Sequence, residues 1–252
     1  MNKLFIKAGL LLTFITGLTS CNKTDYLDIN ASERPALAAY VRFVNARTTA
    51  TPVQFWTFTN QITSTALAPG NASAYLPTVF GNVQINLTEG SGTSYKASQQ
   101  FGNSATFSSS GGPNGPIADF YHTVFATRKN RTSGDSLILF YDNLTTPAAG
   151  KAKLRFVNLS PDQGAVTVTG SDVAFTNVAY GRAANSALTG ETLSAYTLGP
   201  FVEVNAGTKT LNVSNTTGVL HSASYTFQDG KIYTLFTQGS PGALKVVSLL
   251  HN

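Results

Sequence analysis

The chain has 252 residues, of which 42% are apolar and only 12% charged, with a formal charge of +5 and a single cysteine. That apolar share supports packed cores and excludes a largely disordered chain, while the charged share is about half of the usual one. Once Lys3 and Lys7 leave with a signal peptide the charge falls to +3, too weak and too scattered for a nucleic-acid-binding surface.

The chain opens with a basic stretch, Met1-Asn2-Lys3-Leu4-Phe5-Ile6-Lys7, followed by an apolar run over residues 8–18. That run suits a signal peptide and is too short for a membrane-spanning anchor. Leu18-Thr19-Ser20-Cys21 resembles the bacterial lipobox, in which an apolar residue and two small residues precede the cysteine. The expectation is a lipoprotein signal peptide over residues 1–20, with Cys21 as the lipid-bearing first residue of the mature chain. At about 0.8 kcal/mol per buried methylene, several acyl chains anchor a protein durably. Asn22 stands where an aspartate would signal retention, which points to the outer membrane, facing either the periplasm or the surface. Residues 21–37 are polar, contain Pro35 and lack periodicity, so they read as a flexible tether. Because Cys21 is the lone cysteine, disulfides, cysteine-ligated metals and cysteine nucleophiles are excluded elsewhere.

From residue 38 on, short β-branched and aromatic runs alternate with Gly, Asn and Asp, the pattern of strands and turns. Val41-Arg42-Phe43-Val44-Asn45 recurs as Leu154-Arg155-Phe156-Val157-Asn158. Val53-Gln54-Phe55 matches Val166-Thr167-Val168, and Gly81, Ile85, Asn86 and Leu87 match Gly207, Leu211, Asn212 and Val213. Tyr121-His122-Thr123-Val124-Phe125 matches Tyr233-Thr234-Leu235-Phe236, which sets His122 against Thr234. Anchors in one order predict a duplicated domain. The first repeat spans 38–144, a linker covers 145–151, and the second repeat spans 152–252. The changing offset places one insertion over residues 102–116 and another over 182–196, both in loops. Polar and apolar residues interleave around Arg42, which predicts a strand buried on both sides. Ser222 to Phe227 and Lys231 to Phe236, joined by Gln228-Asp229-Gly230, predict a hairpin with an Asp-Gly turn. The fold class is all-β: two tandem Ig-like or transthyretin-like antiparallel β-sandwiches.

Val-Arg-Phe-Val-Asn at 41–45, Leu-Arg-Phe-Val-Asn-Leu-Ser-Pro-Asp at 154–162, Asn-Ala-Gly-Thr-Lys-Thr-Leu-Asn-Val at 205–213 and Tyr-Thr-Leu-Phe-Thr-Gln-Gly at 233–239 resemble the domain of unknown function 4397 family. The resemblance covers nearly all of residues 38–252 as two copies. The first copy departs from it, with Asn-Ala-Arg-Thr-Thr-Ala where the second has Asn-Leu-Ser-Pro-Asp. It implies an extracytoplasmic β-sandwich, often a lipoprotein, and it carries no catalytic residues to transfer.

Signals of chemistry are sparse. His122, His221 and His251 have no Asp, Glu or His at metal-ligand spacing, so each reads as a strand residue facing solvent or a hydrogen-bonded neighbour, and no metal or cofactor is expected. Asp142, Asp162 and Asp229 sit beside turn-forming residues, where a carboxylate accepts backbone N–H bonds. A nucleophile elbow, a phosphate loop and a dinucleotide fingerprint are absent, and Gly90-Ser91-Gly92-Thr93-Ser94-Tyr95 reads as a turn. The sharpest clue is a difference between the repeats. Gln54, Trp56 and Phe58 alternate with core positions where the second repeat has Thr167, Thr169 and Ser171. Period two therefore places the only tryptophan, with Phe58, on an outer sheet face, where aromatics stack on sugar rings or anchor a protein partner, or else pack under the first-repeat insertion or against the second domain. The expectation is a non-enzymatic, membrane-anchored binding or structural module for carbohydrate or an envelope protein. The competing expectation is a hydrolase with carboxylates converging from separate loops.

Overall fold

The computed structural model describes residues 36–102, 115–128, 134–185, 199–240 and 242–252. The signal peptide, Cys21, nearly all of the tether and most of both insertions lie outside the described residues. Residues 38–252 form one compact unit.

Its first half contains β1 (Ala39–Asn45), β2 (Val53–Thr57), β3 (Asn60–Gln61), β4 (Ala72–Thr78), β5 (Val83–Glu89), β6 (Ala97–Phe101), β7 (Tyr121–Arg128) and β8 (Asp135–Asp142). They build two sheets, β4-β1-β7-β8 and β3-β2-β5-β6. Alternation decides what lies between the sheets. Val41 and Phe43 of β1, Val53 and Phe55 of β2, and Ile85 and Leu87 of β5 share one core, each at most 1% exposed. This is a β-sandwich, as the period-two runs predict.

The second half repeats the arrangement with β9 (Lys151–Val157), β10 (Val166–Gly170), β11 (Val173–Val178), β12 (Val202–Asn205), β13 (Gly207–Asn215), β14 (Gly218–Phe227), β15 (Ile232–Gln238) and β16 (Lys245–Leu250). Its sheets are β12-β9-β15-β16 and β11-β10-β13-β14, the same order strand for strand. Their core contains Leu154, Phe156, Val168, Leu211, Val213 and Leu235. No α-helix occurs among the described residues, and a single 3-10 turn covers Pro161–Gln163.

Three details differ from the sequence reading. Pairing is antiparallel except for β1 with β7 and β9 with β15, which run parallel. The first and seventh strands of each repeat meet in mid-sheet, so no short turn can join them. The Asp229-Gly230 turn does not close a hairpin: β14 pairs with β13, whereas β15 pairs with β9 and β16. The turn carries the chain from one sheet to the other, and the hairpin of this region is β13–β14, with Asn215 opposite Gly218. Register also makes Thr123, not His122, the counterpart of Thr234: Thr123 lies opposite Arg42 as Thr234 lies opposite Arg155.

The β1 and β9 motifs now have a physical reading. Val41 and Phe43, like Leu154 and Phe156, fill the sandwich cores. Val44 and Val157 face the other way and meet in a third core with Phe125, Phe140, Leu159 and Phe236. That third core joins sheet β4-β1-β7-β8 to sheet β12-β9-β15-β16, so both middle sheets are buried on two faces. The motif asparagines staple the following loops: Asn158 Nδ2 donates to the carbonyls of Gly164 (2.8 Å) and Val178 (2.9 Å), and Asn45 Nδ2 to that of Leu67 (2.9 Å).

Candidate functional site

On the outer face of β3-β2-β5-β6, Trp56 lies opposite Gln61 and Asn86, and Asn86 lies opposite Ser98. The Trp56 indole Nε1–H donates to Thr88 Oγ1 at 3.0 Å. Thr88 pairs with Gln54, two residues from Trp56, so this bond lays the ring across β2 and β5. Asn86 and Thr88 are fully buried although they point away from the core, consistent with an indole lying over them. Trp56 itself is half-buried.

Phe58 lies beyond the end of β2, in the turn to β3, at φ +53°. Left-handed backbone is costly for a residue with a Cβ, and three bonds hold it. Its N–H donates to the Gln84 carbonyl (2.8 Å), while its own carbonyl accepts from Asn86 Nδ2 (2.6 Å) and the Tyr95 hydroxyl (3.2 Å). Phe58 and Tyr95 are each 44% exposed. Around them runs an amide–hydroxyl network: Gln84 Nε2 donates to Asn86 Oδ1 (3.0 Å) and Ser98 Oγ (2.9 Å), and Ser98 donates to Asn86 Oδ1 (2.6 Å). Lys96, at the head of β6, sits 3.8 Å from Glu89. The structure thus brings Trp56 and Phe58 to one end of this face, with Phe58 on a turn instead of the strand. Tyr95 escaped the sequence reading because its loop read only as a turn. Gln84, Asn86 and Ser98 lie on β5 and β6, and only the pairing of those strands with β2 brings them beside Trp56.

The corresponding face of the second sandwich is different. Thr167 and Thr169 lie opposite Ser214 and Asn212, and Thr208 bonds Thr226 (2.8 Å) as Thr210 bonds Ser224 (3.0 Å). It is a hydroxyl surface without aromatics at the Trp56 and Phe58 positions.

The second concentration of polar groups lies between the sandwiches and closes a ring through both. Arg155 Nη2 donates to Asp142 Oδ1 (2.7 Å), and Arg155 Nε to Thr234 Oγ1 (3.0 Å). Thr234 Oγ1 meets His251 Nε2 (2.8 Å), His251 Nδ1 meets the Tyr75 hydroxyl (2.6 Å), and Tyr75 donates to Asp142 Oδ2 (2.8 Å). Thr123 adds a 2.6 Å bond to Asp142 Oδ2. Since Tyr75 gives its proton to Asp142, it must accept from His251 Nδ1–H. His251 Nε2 then accepts from Thr234, which accepts from Arg155. The path from Arg155 through Thr234, His251 and Tyr75 to Asp142 therefore runs in one direction with a neutral histidine, and the direct Arg155–Asp142 bond closes the ring. Asp142 is accordingly not a turn carboxylate, because the strand β8 carries it into the seam. Asp162 differs too, pairing with Arg128 at 3.0 Å across the sandwiches, whereas Asp229 does accept the Gly150 N–H (2.8 Å).

Burial opposes charge on Asp142, yet Arg155 and the hydroxyl donors outweigh it and hold the carboxyl below its usual range. Burial pushes His251 down to about 3 and His122 down to about 4. Far from facing solvent, His122 is fully buried and its Nε2 accepts the Ile117 N–H at 3.3 Å. Both histidines are neutral in the fold and free to protonate when it opens. Stability is therefore complete above about pH 6.5 and falls as pH drops from there toward 4, by up to about 1.4 kcal/mol per pH unit for each histidine. Asp142 adds its own loss only below about pH 4. Urea midpoints at pH 7, 6 and 5 check this: a larger fall from pH 6 to 5 than from 7 to 6 is expected, a flat profile contradicts it, and His122→Gln should reduce the slope.

A cavity of about 350 Å³ opens along the same seam, lined by Arg47, Thr48 and Pro69 from one sandwich and Gln238, Ser240 and Lys245 from the other. Arg47 binds Asp135 (2.9 Å) and Glu89 together. Burial raises the Asp135 carboxyl, and the Arg47 bond lowers that of Glu89. Neither carboxylate lines the cavity. No group of three or more His, Cys, Asp or Glu able to hold a metal occurs among the described residues.

The architecture defines an all-β protein of two sandwiches fused through their middle sheets. The chain belongs to the family described as domain of unknown function (DUF4397), whose model matches residues 39–169, across the first sandwich and into the second. No curated protein matches the chain. Among solved structures it is similar to a protein from Bacteroides uniformis ATCC 8492 provisionally described as a cell adhesion protein, with 11% identity over 85% of this chain and 98% of that one. The TM-score is 0.25, too low for that likeness to bear on function.

Proposed function

We propose that this protein is a lipid-anchored binding module of the bacterial cell envelope, without catalytic activity, that holds its two sandwiches as one body and presents the Trp56 face. The observation that carries the reading is the contrast between that face and the other polar clusters. At the seam Asp142 pairs with Arg155, Asp162 with Arg128, and Glu89 and Asp135 with Arg47, whereas Trp56, Phe58 and Tyr95 stand among amides and hydroxyls, with the Lys96–Glu89 pair beside them. Carbohydrate and an envelope protein are the two ligand classes such a face suits. The lipobox at Cys21 supports anchoring. Among the described residues no helix is long and apolar enough to cross a membrane, so the attachment in this reading is the lipid.

The competing reading, an envelope hydrolase, has one observation in its favour. Glu89 and Asp135 share a guanidinium and so lie within the roughly 10 Å that a carboxylate pair needs. Both are bonded to Arg47, however, and neither reaches the cavity. Two measurements test the proposal. Intact mass of the chain purified from envelopes is expected to show acylated Cys21, with Cys21→Ser released from the membrane fraction. An unmodified Cys21 on an envelope-free protein would refute the anchor. Glycoside or ester hydrolysis lost in Glu89→Gln would establish the hydrolase instead.

A further inference from the structure

We propose that the outer face of β3-β2-β5-β6 is a platform for an uncharged polysaccharide chain, with Trp56 stacked on one sugar ring and Phe58 and Tyr95 contacting the next. This rests on the binding-module reading and names its ligand.

Four observations lead to it. First, the Thr88 bond ties the indole to the sheet, and Trp56 is only half-buried, so part of it meets solvent. A sugar ring offers one side rich in C–H groups, and that side suits the electron-rich face of an indole. Second, the groups beside it are amides and hydroxyls, which both donate and accept, as sugar hydroxyls do. Gln84, Asn86 and Ser98 already hold one another in place, so binding orders few side chains. Third, Phe58 occupies left-handed backbone under three hydrogen bonds. Thr57 pairs with Asn60, so Phe58 opens the two-residue turn between β2 and β3, where a positive φ is required, and the three bonds present its exposed ring from a fixed backbone. Fourth, Phe58 sits past the end of β2 beside Tyr95, whose hydroxyl bonds its carbonyl. A ligand that meets both Trp56 and this pair extends along the face, which favours a polymer over a monosaccharide. The alternation of aromatics with amides breaks up the apolar area that a protein partner would need to desolvate.

Affinity gel electrophoresis of the full chain in detergent tests the proposal. The gels contain neutral polysaccharides (a β-glucan, an α-glucan, a mannan, a xylan) or acidic ones (alginate, pectate). Retardation by at least one neutral polymer and by neither acidic one is expected. Trp56→Ala should weaken it at least tenfold, and Phe58→Ala several-fold. Thr88→Val, which frees the indole without removing it, should weaken it several-fold, and Trp56→Phe should retain part of it. Thr169→Ala, at the matching place on the second sandwich, should leave it unchanged. Circular dichroism of each variant separates lost binding from lost folding. No retardation by any neutral polymer, or retardation indifferent to Trp56→Ala in a folded protein, overturns the glycan. If the anchored chain then crosslinks to an envelope protein in a Trp56-dependent way, the binding-module reading survives without it. If it does neither, both fall.

Discussion

Arg155→Ala is expected to cost about 3–5 kcal/mol of stability, the range for breaking a buried ion pair from one side. Arg155 and Asp142 have no exposed side-chain surface. Besides Asp142 and Thr234, the guanidinium donates to the carbonyls of Tyr141 (3.0 Å) and Gly199 (3.4 Å), and it lies 4.4 Å from the Phe201 ring centroid. Alanine leaves the Asp142 charge buried without its cation and opens a void. The double variant Arg155→Met with Asp142→Leu should cost much less, because it removes both charges and fills the space. The readout can discriminate between coupled and independent sandwiches. Trp56 is the only tryptophan and lies in the first sandwich, while Arg155 lies in the second. Urea unfolding followed by tryptophan fluorescence should therefore shift in Arg155→Ala as far as unfolding followed by circular dichroism. An unshifted fluorescence curve would mean that the sandwiches unfold independently.

Phe125→Ala and Phe236→Ala are each expected to lose about 3–5 kcal/mol, as large aromatic truncations in closed cores do. Both side chains are fully buried in the third core, with ring centroids 5.3 Å apart at 62°. They occupy matched places, since Val44 lies opposite Phe125 as Val157 lies opposite Phe236. Because the rings touch edge to face, the double variant should cost less than the sum, by about 0.5–1.5 kcal/mol. Chemical denaturation of the four proteins measures the cycle. Losses below 1 kcal/mol would show that this core does not hold the sandwiches together.

The strands of the outer sheets were legible because each buries one side: Val83, Ile85 and Leu87 announce a core-facing strand whatever follows. The recurring motif was legible because Phe-Val-Asn is used the same way twice, for sandwich core, third core and loop. The seam was not, and the reason is local. Asp142 precedes Asn143 and the linker, so its neighbours suggest a turn, and only the β7–β8 register shows that it enters the opposing sheet. The same register pairs its role with His251: Asp142 lies opposite Tyr121, two residues before Thr123, and the His251 N–H bonds the carbonyl of Ile232, two before Thr234. One repeat carries an acid where the other carries a histidine, so duplication gave no signal. Arg155 finds its carboxylate, while its counterpart Arg42 finds the Leu250 carbonyl and the Tyr75 ring. Asp229-Gly230 misled for another reason. The same turn residues close a hairpin or carry a chain between sheets, and the choice is made by distant pairing. Alternation sets Trp56 against the core-facing Val53 and Phe55 of β2, whereas Phe58 lies past the end of β2, which the sequence does not mark.

The central claim is that the Trp56 face is the working surface, and the most direct measurement is the emission of that single tryptophan during titration with solubilised polysaccharide from bacterial envelopes. The account predicts a saturable change in emission and protection from acrylamide quenching. Emission and quenching that stay unchanged, while the protein still sediments with the same polysaccharide, would place binding elsewhere and contradict it.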